Sequence, residues 1–357
     1  MGKTFVTKSF LPPIDEYKEY VDRIWDNGLL TNQGPLLQEF ENKVGSYLSV
    51  DNFHFVTNGT LALQLAIRAL DISDGEIITT PFSYVATTSA ILWEGASPVF
   101  VDIDPDTLCI DPDKIEAAIT KKTKAILAVH VFGNPCDIDS IEKIAKKHNL
   151  KVVYDAAHAF GVEYRGKSLL SYGDISISSF HSTKLFHTIE GGGIVVKDRV
   201  ISDKIELLKR FGHNGDEHIQ LGINAKASEF QAAMGLTNLK YLEDIIDERG
   251  RIVELYSKYL KGKVGLPRVN PRVKYNNAYY PVVLKSEEET ETILAKLKDS
   301  EIFPRRYFYP SLNELPYILV KYNCPVSEDI SRRVLCLPLY VGLDNITIRK
   351  ICEVILG

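Results

Sequence analysis

Short β-rich runs alternate with segments of helical periodicity over the first 200 or so residues of this chain. The candidate strands are Glu76–Thr80, Pro98–Asp102, Ala125–Val131, Val152–Asp155, Ile175–Phe180 and Gly193–Val196. Between them, Ile138, Ile141, Ile144 and Ala145 fall on one helical face, and Asp113–Thr120 forms a weaker helical pattern. Parallel neighbours need long crossovers, which helices supply, whereas hairpins need only a tight turn. The alternation therefore predicts an α/β layer with a mostly parallel sheet and helices on both faces. An amphipathic helix precedes it: Ile14, Tyr17, Val21, Ile24 and Trp25 recur at helical spacing, and Asn27-Gly28 suits a left-handed cap.

After Asn224 the pattern changes. Helical sequence over Ser228 to about Leu260 is followed by a strand-like Tyr279–Leu284 and a charged helix, Glu287–Lys298. We expect a large α/β domain over 1–245 and a smaller α+β domain over 246–357, with the N-terminal helix able to pack on the smaller one. The 357 residues, 45% apolar and 25% charged, suffice for cores of that size. A net charge of −5 offers no basic excess to replace phosphate counterions, which argues against nucleic acid as a partner. The five cysteines are scattered and lack metal-ligand spacing, so they read as reduced thiols, with no disulfide frame and no metal site. No basic start leads into an apolar leader and no long apolar stretch follows, so a cytoplasmic protein without membrane contact is expected. Met1-Gly2 is not a myristoylation signal, because position six is Val6.

Candidate chemistry gathers at strand ends. Thr57-Asn58-Gly59-Thr60 stands directly before the helical run Leu61–Leu70. A helix start offers unpaired N–H groups to an anion, and Gly59 permits close backbone approach; the same motif also reads as a plain N-cap. Tyr84, in Pro81-Phe82-Ser83-Tyr84 after the first strand, is either a core aromatic or a ring placed to stack on a ligand. Asp155 ends an apolar strand and is followed by Ala156-Ala157-His158; Ser179 lies five residues before Lys184, and Glu190-Gly191-Gly192-Gly193 comes after it. Asp155 as a turn cap and Lys184 as a solvated surface charge are the plain alternatives. An amine and a carboxylate at two strand ends are, however, the pair that pyridoxal phosphate requires. The lysine binds its aldehyde and the carboxylate keeps its pyridine nitrogen protonated. Ser179 then adds a donor to the phosphate, and His158 lies near the phenolic oxygen.

Taken together, these motifs, with Pro81-Phe82-Ser83-Tyr84-Val85-Ala86-Thr87 and Ser179-Phe180-His181-Ser182-Thr183-Lys184, resemble those of the DegT/DnrJ/StrS sugar aminotransferases in order and spacing. Gly222-Ile223-Asn224-Ala225-Lys226 and Leu335-Cys336-Leu337-Pro338-Leu339 are similar to later landmarks of that family. The resemblance implies an aspartate-aminotransferase fold and a homodimer with active sites at the subunit interface. It implies that Gly59, Thr60 and Ser179 hold the phosphate, joined by Asn224 of the neighbouring subunit, while Tyr84 stacks, Asp155 pairs with the ring nitrogen and Lys184 carries the cofactor. Lys226 stands where many members have Arg, and loses the bidentate fork. Dehydratase members have His in place of the lysine, so Lys184 points away from that chemistry.

The expected reaction moves an amino group from L-glutamate, through pyridoxamine phosphate, to the ketone of a nucleotide-linked sugar, leaving 2-oxoglutarate. Lys184, once released, moves the proton between substrate Cα and cofactor. The basic, aromatic cluster of Arg305, Arg306, Tyr307 and Tyr309 is suited to a diphosphate and a base, or to a solvated domain edge. His187 and Lys226 are further candidates for substrate contact. The run Thr183 to Gly192 and Phe132-Gly133-Asn134-Pro135-Cys136 look most like enzymes aminating dTDP-4-keto-6-deoxyglucose at C4, which supply dTDP-4-amino-4,6-dideoxyglucose for O-antigens. Alternatives are amination at C3, a UDP-linked keto sugar, or a non-catalytic sensor on the same fold. A dinucleotide-binding oxidoreductase would need G-x-G-x-x-G after the first strand, and Thr57-Asn58-Gly59-Thr60 is not that.

Overall fold

The computed structural model describes residues 2–357. Its central sheet has seven strands: β1 (Phe53–Val56), β2 (Glu76–Thr79), β3 (Ser97–Phe100), β4 (Thr123–Val129), β5 (Lys151–Asp155), β6 (Ile175–Ser179) and β7 (Gly192–Val196). Their spatial order is β1-β7-β6-β5-β4-β2-β3. The five strands from β6 across to β3 run parallel, as the alternation predicts. Strand β7 is the exception, pairing antiparallel with both β6 and β1.

The sheet is covered on both faces, and the period of two in its strands divides their side chains between two cores. Ile126 and Ala128 of β4 join Ile78, Tyr154 and Phe180 on one face. Ala125 and Leu127 join Ile77, Val153 and Ile177 on the other. Each fully buried aliphatic side chain there contributes about 1.5–3 kcal/mol. The first face is closed by α1 (Ile14–Asn27), α2 (Pro35–Leu48), α5 (Ile138–His148) and α7 (Glu229–Leu239). The second is closed by α3 (Gly59–Ala69), α4 (Val85–Trp93) and α6 (Arg199–Leu208). Helix α1 packs on α7 and ends where expected, with Gly28 in the left-handed region at φ 70°.

Several expectations need adjusting. Helix α2 and strand β1 were not legible in the pattern. The helical stretch from Ser228 to Leu260 is two helices, α7 and α8 (Leu242–Leu260), broken at Lys240-Tyr241. Asp113–Thr120 shrinks to a turn of helix at Pro112–Ile115 and a 3-10 turn at Glu116–Ala118. Strand β4 stops at Val129, before a 3-10 turn over Val131–Gly133.

A third core forms where α8, α9 (Glu287–Asp299) and α10 (Asn345–Leu356) pack on a strand pair, β8 (Pro281–Val283) with β9 (Val334–Cys336). Ile252, Tyr256, Val282, Leu335, Ile348 and Ile351 are buried in it. Thr4–Phe5 pairs with Ile302–Phe303 beside this core. All five cysteines are buried and unpaired. Among the described residues, no helix is long and apolar enough to cross a membrane.

Candidate active site

The carboxyl ends of the parallel strands and the starts of α3 and α4 surround one cavity of about 310 Å³, where open α/β sheets bind ligands. At one side, β1 runs through Thr57-Asn58 into α3. The Asn58 side chain caps the helix by accepting the Leu61 N–H at 2.9 Å. That leaves the Gly59 and Thr60 N–H groups, which have no partner inside a helix, for an anion. Gly59 is needed here because a Cβ would come within 3.0 Å of Ser179 Cβ. Gly192 is needed more strictly, since its Cβ would meet the Asn58 carbonyl oxygen at 2.4 Å. With both glycines in place, the Ser179 hydroxyl lies against the helix start.

Asp155 closes the floor of the cavity at the end of β5, with 5% of its surface exposed. Thr87 donates its hydroxyl to Oδ2 at 2.8 Å and lies 2.8 Å from the Ser83 hydroxyl. The Ala157 N–H reaches Oδ1 at 3.1 Å. Burial raises the carboxyl above its usual value, and these two donors with the more distant Lys184 only partly oppose that. A buried carboxylate with neutral donors and no close cation is suited to a protonated ring nitrogen.

His158 is also buried, and burial, then Lys184, holds it well below its usual value, so the ring is neutral. The Phe132 N–H donates to Nδ1 at 3.2 Å, which assigns the proton to Nε2 and makes that nitrogen a donor. The Phe308 ring stacks on the imidazole at 5.6 Å and 3°.

Lys184 lies in the turn after β6, where its N–H bonds the His181 carbonyl at 2.8 Å. Burial pulls its amine down to about 8, against the opposing charges of Asp155 and Tyr84. Its Nζ is 3.5 Å from the Tyr279 hydroxyl.

Seven of the expected residues therefore share this cavity: Gly59, Thr60, Tyr84, Asp155, His158, Ser179 and Lys184. Arg305 joins them beside Tyr307 and Phe308. Arg306 and Tyr309 do not line it; the guanidinium sits 3.7 Å from the Tyr309 ring centroid and faces Glu287 at 3.9 Å. His187 is buried elsewhere, with Nε2 2.7 Å from the Phe10 carbonyl oxygen and its own carbonyl accepting from Asn238. Asn224 and Lys226 bond each other at 2.8 Å, on a segment that runs beside β1 through a bond from the Thr57 N–H to the Ala225 carbonyl. In the single chain both stay outside the cavity. Tyr307, expected with Arg305, also lines the cavity, whereas Thr87, Tyr279 and Phe308 are contributors that the sequence did not single out. The Tyr279-Tyr280 doublet at a strand start was the available signal, but it reads equally as core.

A larger groove of about 510 Å³ carries Arg165, Arg268 and Arg272, but its charges are largely spoken for. Arg165 forks onto Asp139, and Arg268 approaches Asp106 at 3.5 Å. In the smaller cavity, Asp155 and Lys184 lie without an ion-pair partner among the described residues. Its open helix start, carboxylate without a cation, Nε2–H donor and lysine lowered to about 8 match the phosphate, ring nitrogen, phenolic oxygen and aldehyde of pyridoxal phosphate.

Residues 14–356 match the model of the DegT/DnrJ/EryC1/StrS aminotransferase family. The chain is 43% identical over 349 residues to a dTDP-4-amino-4,6-dideoxy-D-glucose transaminase of Shigella dysenteriae, covering 96% of this chain and 95% of the relative. It is 40% identical over 365 residues to the enzyme of that name from Escherichia coli, covering 99% and 98%. Its structure superposes on crystalline DesI, determined in the presence of its TDP-sugar product, with a TM-score of 0.94 at 33% identity, covering 100% of this chain and 93% of DesI. With fold, motifs and site in agreement, the chain belongs to the DegT/DnrJ/EryC1/StrS aminotransferase family and is a pyridoxal-phosphate-dependent sugar aminotransferase.

Proposed function

We propose that the protein transfers an amino group from L-glutamate to C4 of dTDP-4-keto-6-deoxy-D-glucose, giving dTDP-4-amino-4,6-dideoxy-D-glucose and 2-oxoglutarate. The observation that carries this is the convergence of the Lys184 amine, the Asp155 carboxylate and the start of α3 on one cavity, in a chain 43% identical to a transaminase named for that product. When bound, pyridoxal phosphate supplies an electron-poor ring that takes up charge from the adjoining carbon, and it stores the amino group as pyridoxamine phosphate between the two half-reactions.

The protein's own part is binding, orientation and proton movement. The Gly59 and Thr60 N–H groups and the Ser179 hydroxyl bind the phosphate. Asp155 holds a proton on the ring nitrogen, and Thr87 fixes the carboxylate that does so. His158 donates its Nε2–H to the ring oxygen. The neutral Lys184 amine would take the proton from the substrate Cα and hold it for return. An amine lowered to about 8 is suited to both steps near neutral pH. Tyr84 covers the ring, and Arg305 with Tyr307 faces the diphosphate or sugar. Arg306 and Tyr309 form a stacked pair at the rim, and His187 and Lys226 are kept as more distant candidates.

We place Asn224 at the phosphate of a neighbouring subunit in a homodimer. Its exposure in the single chain and its position beside β1 support that reading. Residues 1–245 then form the cofactor-binding domain and 246–357 the smaller one, in a cytoplasmic enzyme that supplies an amino sugar for O-antigen assembly. Turnover of dTDP-4-keto-6-deoxy-D-glucose with L-glutamate, read by mass and product NMR, tests the assignment. A C4 equatorial amine is expected. Amination at C3, or turnover only with a UDP-linked sugar, would replace it.

A further inference from the structure

Tyr279 is built into the site more firmly than a lining aromatic needs to be. The preceding segment is fixed from two sides. Buried Asn276 donates to the carbonyls of His158 and Phe160, each at 2.9 Å, and accepts the Ala278 N–H at 3.1 Å. Arg249, itself 5% exposed, donates to the carbonyls of Asn277 at 2.9 Å and of Ala278 at 2.5 Å. The ring is then held between His158, with centroids 4.8 Å apart, and Phe132 at 5.6 Å. Its hydroxyl is the one hydrogen-bond partner of Lys184 Nζ among the described residues, at the long distance of 3.5 Å.

We propose that Tyr279 is a positioning residue for Lys184: its hydroxyl holds the free amine at one point in the cavity whenever that amine is not bonded to the cofactor. A lysine side chain has four rotatable carbons, and an amine that must meet two different atoms in turn benefits from a fixed resting place. The phenol is suited to this because it is two-sided. It donates to the neutral amine and accepts from the protonated one, so no other group has to move as the proton passes. Burial raises the phenol above its ordinary value, so it stays protonated and adds no charge. Asp155, His158, Tyr84, His181, Glu190, Arg305 and Tyr307 also face the cavity. None of these, however, is bonded to Nζ.

The inference rests on the aminotransferase reading, so its test starts from cofactor-free protein, where Lys184 is an ordinary amine. Reductive methylation with formaldehyde and cyanoborohydride across pH, quantified on the Lys184 peptide by mass spectrometry, gives its titration; an inflection at about 8 is expected. Tyr279→Phe keeps the ring and removes the oxygen. Charge-assisted bonds are the stronger kind, so losing the acceptor should disfavour the ammonium and move the inflection lower. In the loaded enzyme the glutamate half-reaction should slow about tenfold, with KM for the keto sugar unchanged. A fluorinated tyrosine at 279, close in shape but a weaker acceptor and a stronger donor, should also move the inflection lower and decides the matter should the Phe variant misfold. Tyr275→Phe, which removes a hydroxyl bonded to the Phe132 carbonyl outside the cavity, should leave it in place. Coincident inflections for wild type and Tyr279→Phe, or an equal shift in Tyr275→Phe, would overturn the proposal. Failure of the aminotransferase reading would show separately, as no cofactor fixed to wild-type Lys184 by borohydride while the methylation profiles stand.

Discussion

Lys209 is buried and Lys184 half-buried at a cavity, and the protein treats them in opposite ways. Lys209 is 1% exposed, yet it meets Glu206 at 2.8 Å and Glu41 at 3.2 Å. Glu41 also accepts the Phe55 N–H at 2.7 Å, and Glu206 lies 3.3 Å from His54 Nδ1. Burial alone would raise the Glu206 carboxyl, but the His54 hydrogen bond and the Lys209 charge outweigh it and hold it at about 2. This cluster joins α2, β1 and the end of α6, directly upstream of the start of α3. Lys184 has no such partner. Asp155 acts on it only from a distance, and both groups are displaced toward their neutral forms. Paired buried charge holds the frame; unpaired buried charge is left free to react.

The sharpest way to break this contrast is to remove each lysine. Lys184→Ala should lower turnover at least about 10⁴-fold, as expected for a lost proton-transfer group that is also the cofactor's anchor, with the unfolding midpoint almost unchanged. Steady-state assay and urea unfolding measure the two effects together. Asp155→Asn should cost roughly 10²–10³-fold in turnover, the scale of one preorganised electrostatic partner. Its sign on stability is the opposite of a usual carboxylate. A carboxyl raised on folding is penalised in its charged form, so at neutral pH the cofactor-free Asn variant should unfold at an equal or higher temperature. Calorimetry of both apo proteins checks this.

Lys209→Met should reverse the pattern. Leaving Glu41 and Glu206 without their cation should cost about 3 kcal/mol in urea unfolding, while turnover per folded molecule stays within about twofold. The smallest effect concerns acid. Because Glu206 is lowered from 4.5 to about 2, its contribution is complete above pH 4.5 and is lost as pH falls toward 2. Glu206→Gln should flatten stability across that window and leave the neutral-pH rate alone. Urea midpoints measured at several acidic pH values report it.

The same contrast explains what was legible in the sequence. Asp155 stands out because it ends an apolar strand that would otherwise continue as core, and Lys184 because it lies in the turn that follows one; parallel strands deliver their carboxyl ends to one crevice. The strands of the parallel sheet were readable because both their faces are buried, as in Ala125 to Val129. Strand β1 escaped because its four residues include His54, whose polarity is satisfied by Ser202 and Glu206 rather than by solvent. The break at Lys240-Tyr241 was hidden because neither residue is a helix breaker; tertiary packing imposes the turn. Tyr279 was invisible as a site residue for a similar reason. An aromatic at a strand start looks like core until Asn276 and Arg249 are seen holding its backbone. Asn224 was legible only through the resemblance of its motif, since the role proposed for it lies across a subunit boundary.

Borohydride reduction of the pyridoxal-phosphate-loaded protein, followed by peptide mass spectrometry, tests the central claim most directly. A reduced pyridoxyl adduct on Lys184, and none on Lys209, is the predicted result. A protein that takes up no cofactor, or an adduct on any other lysine, would contradict it.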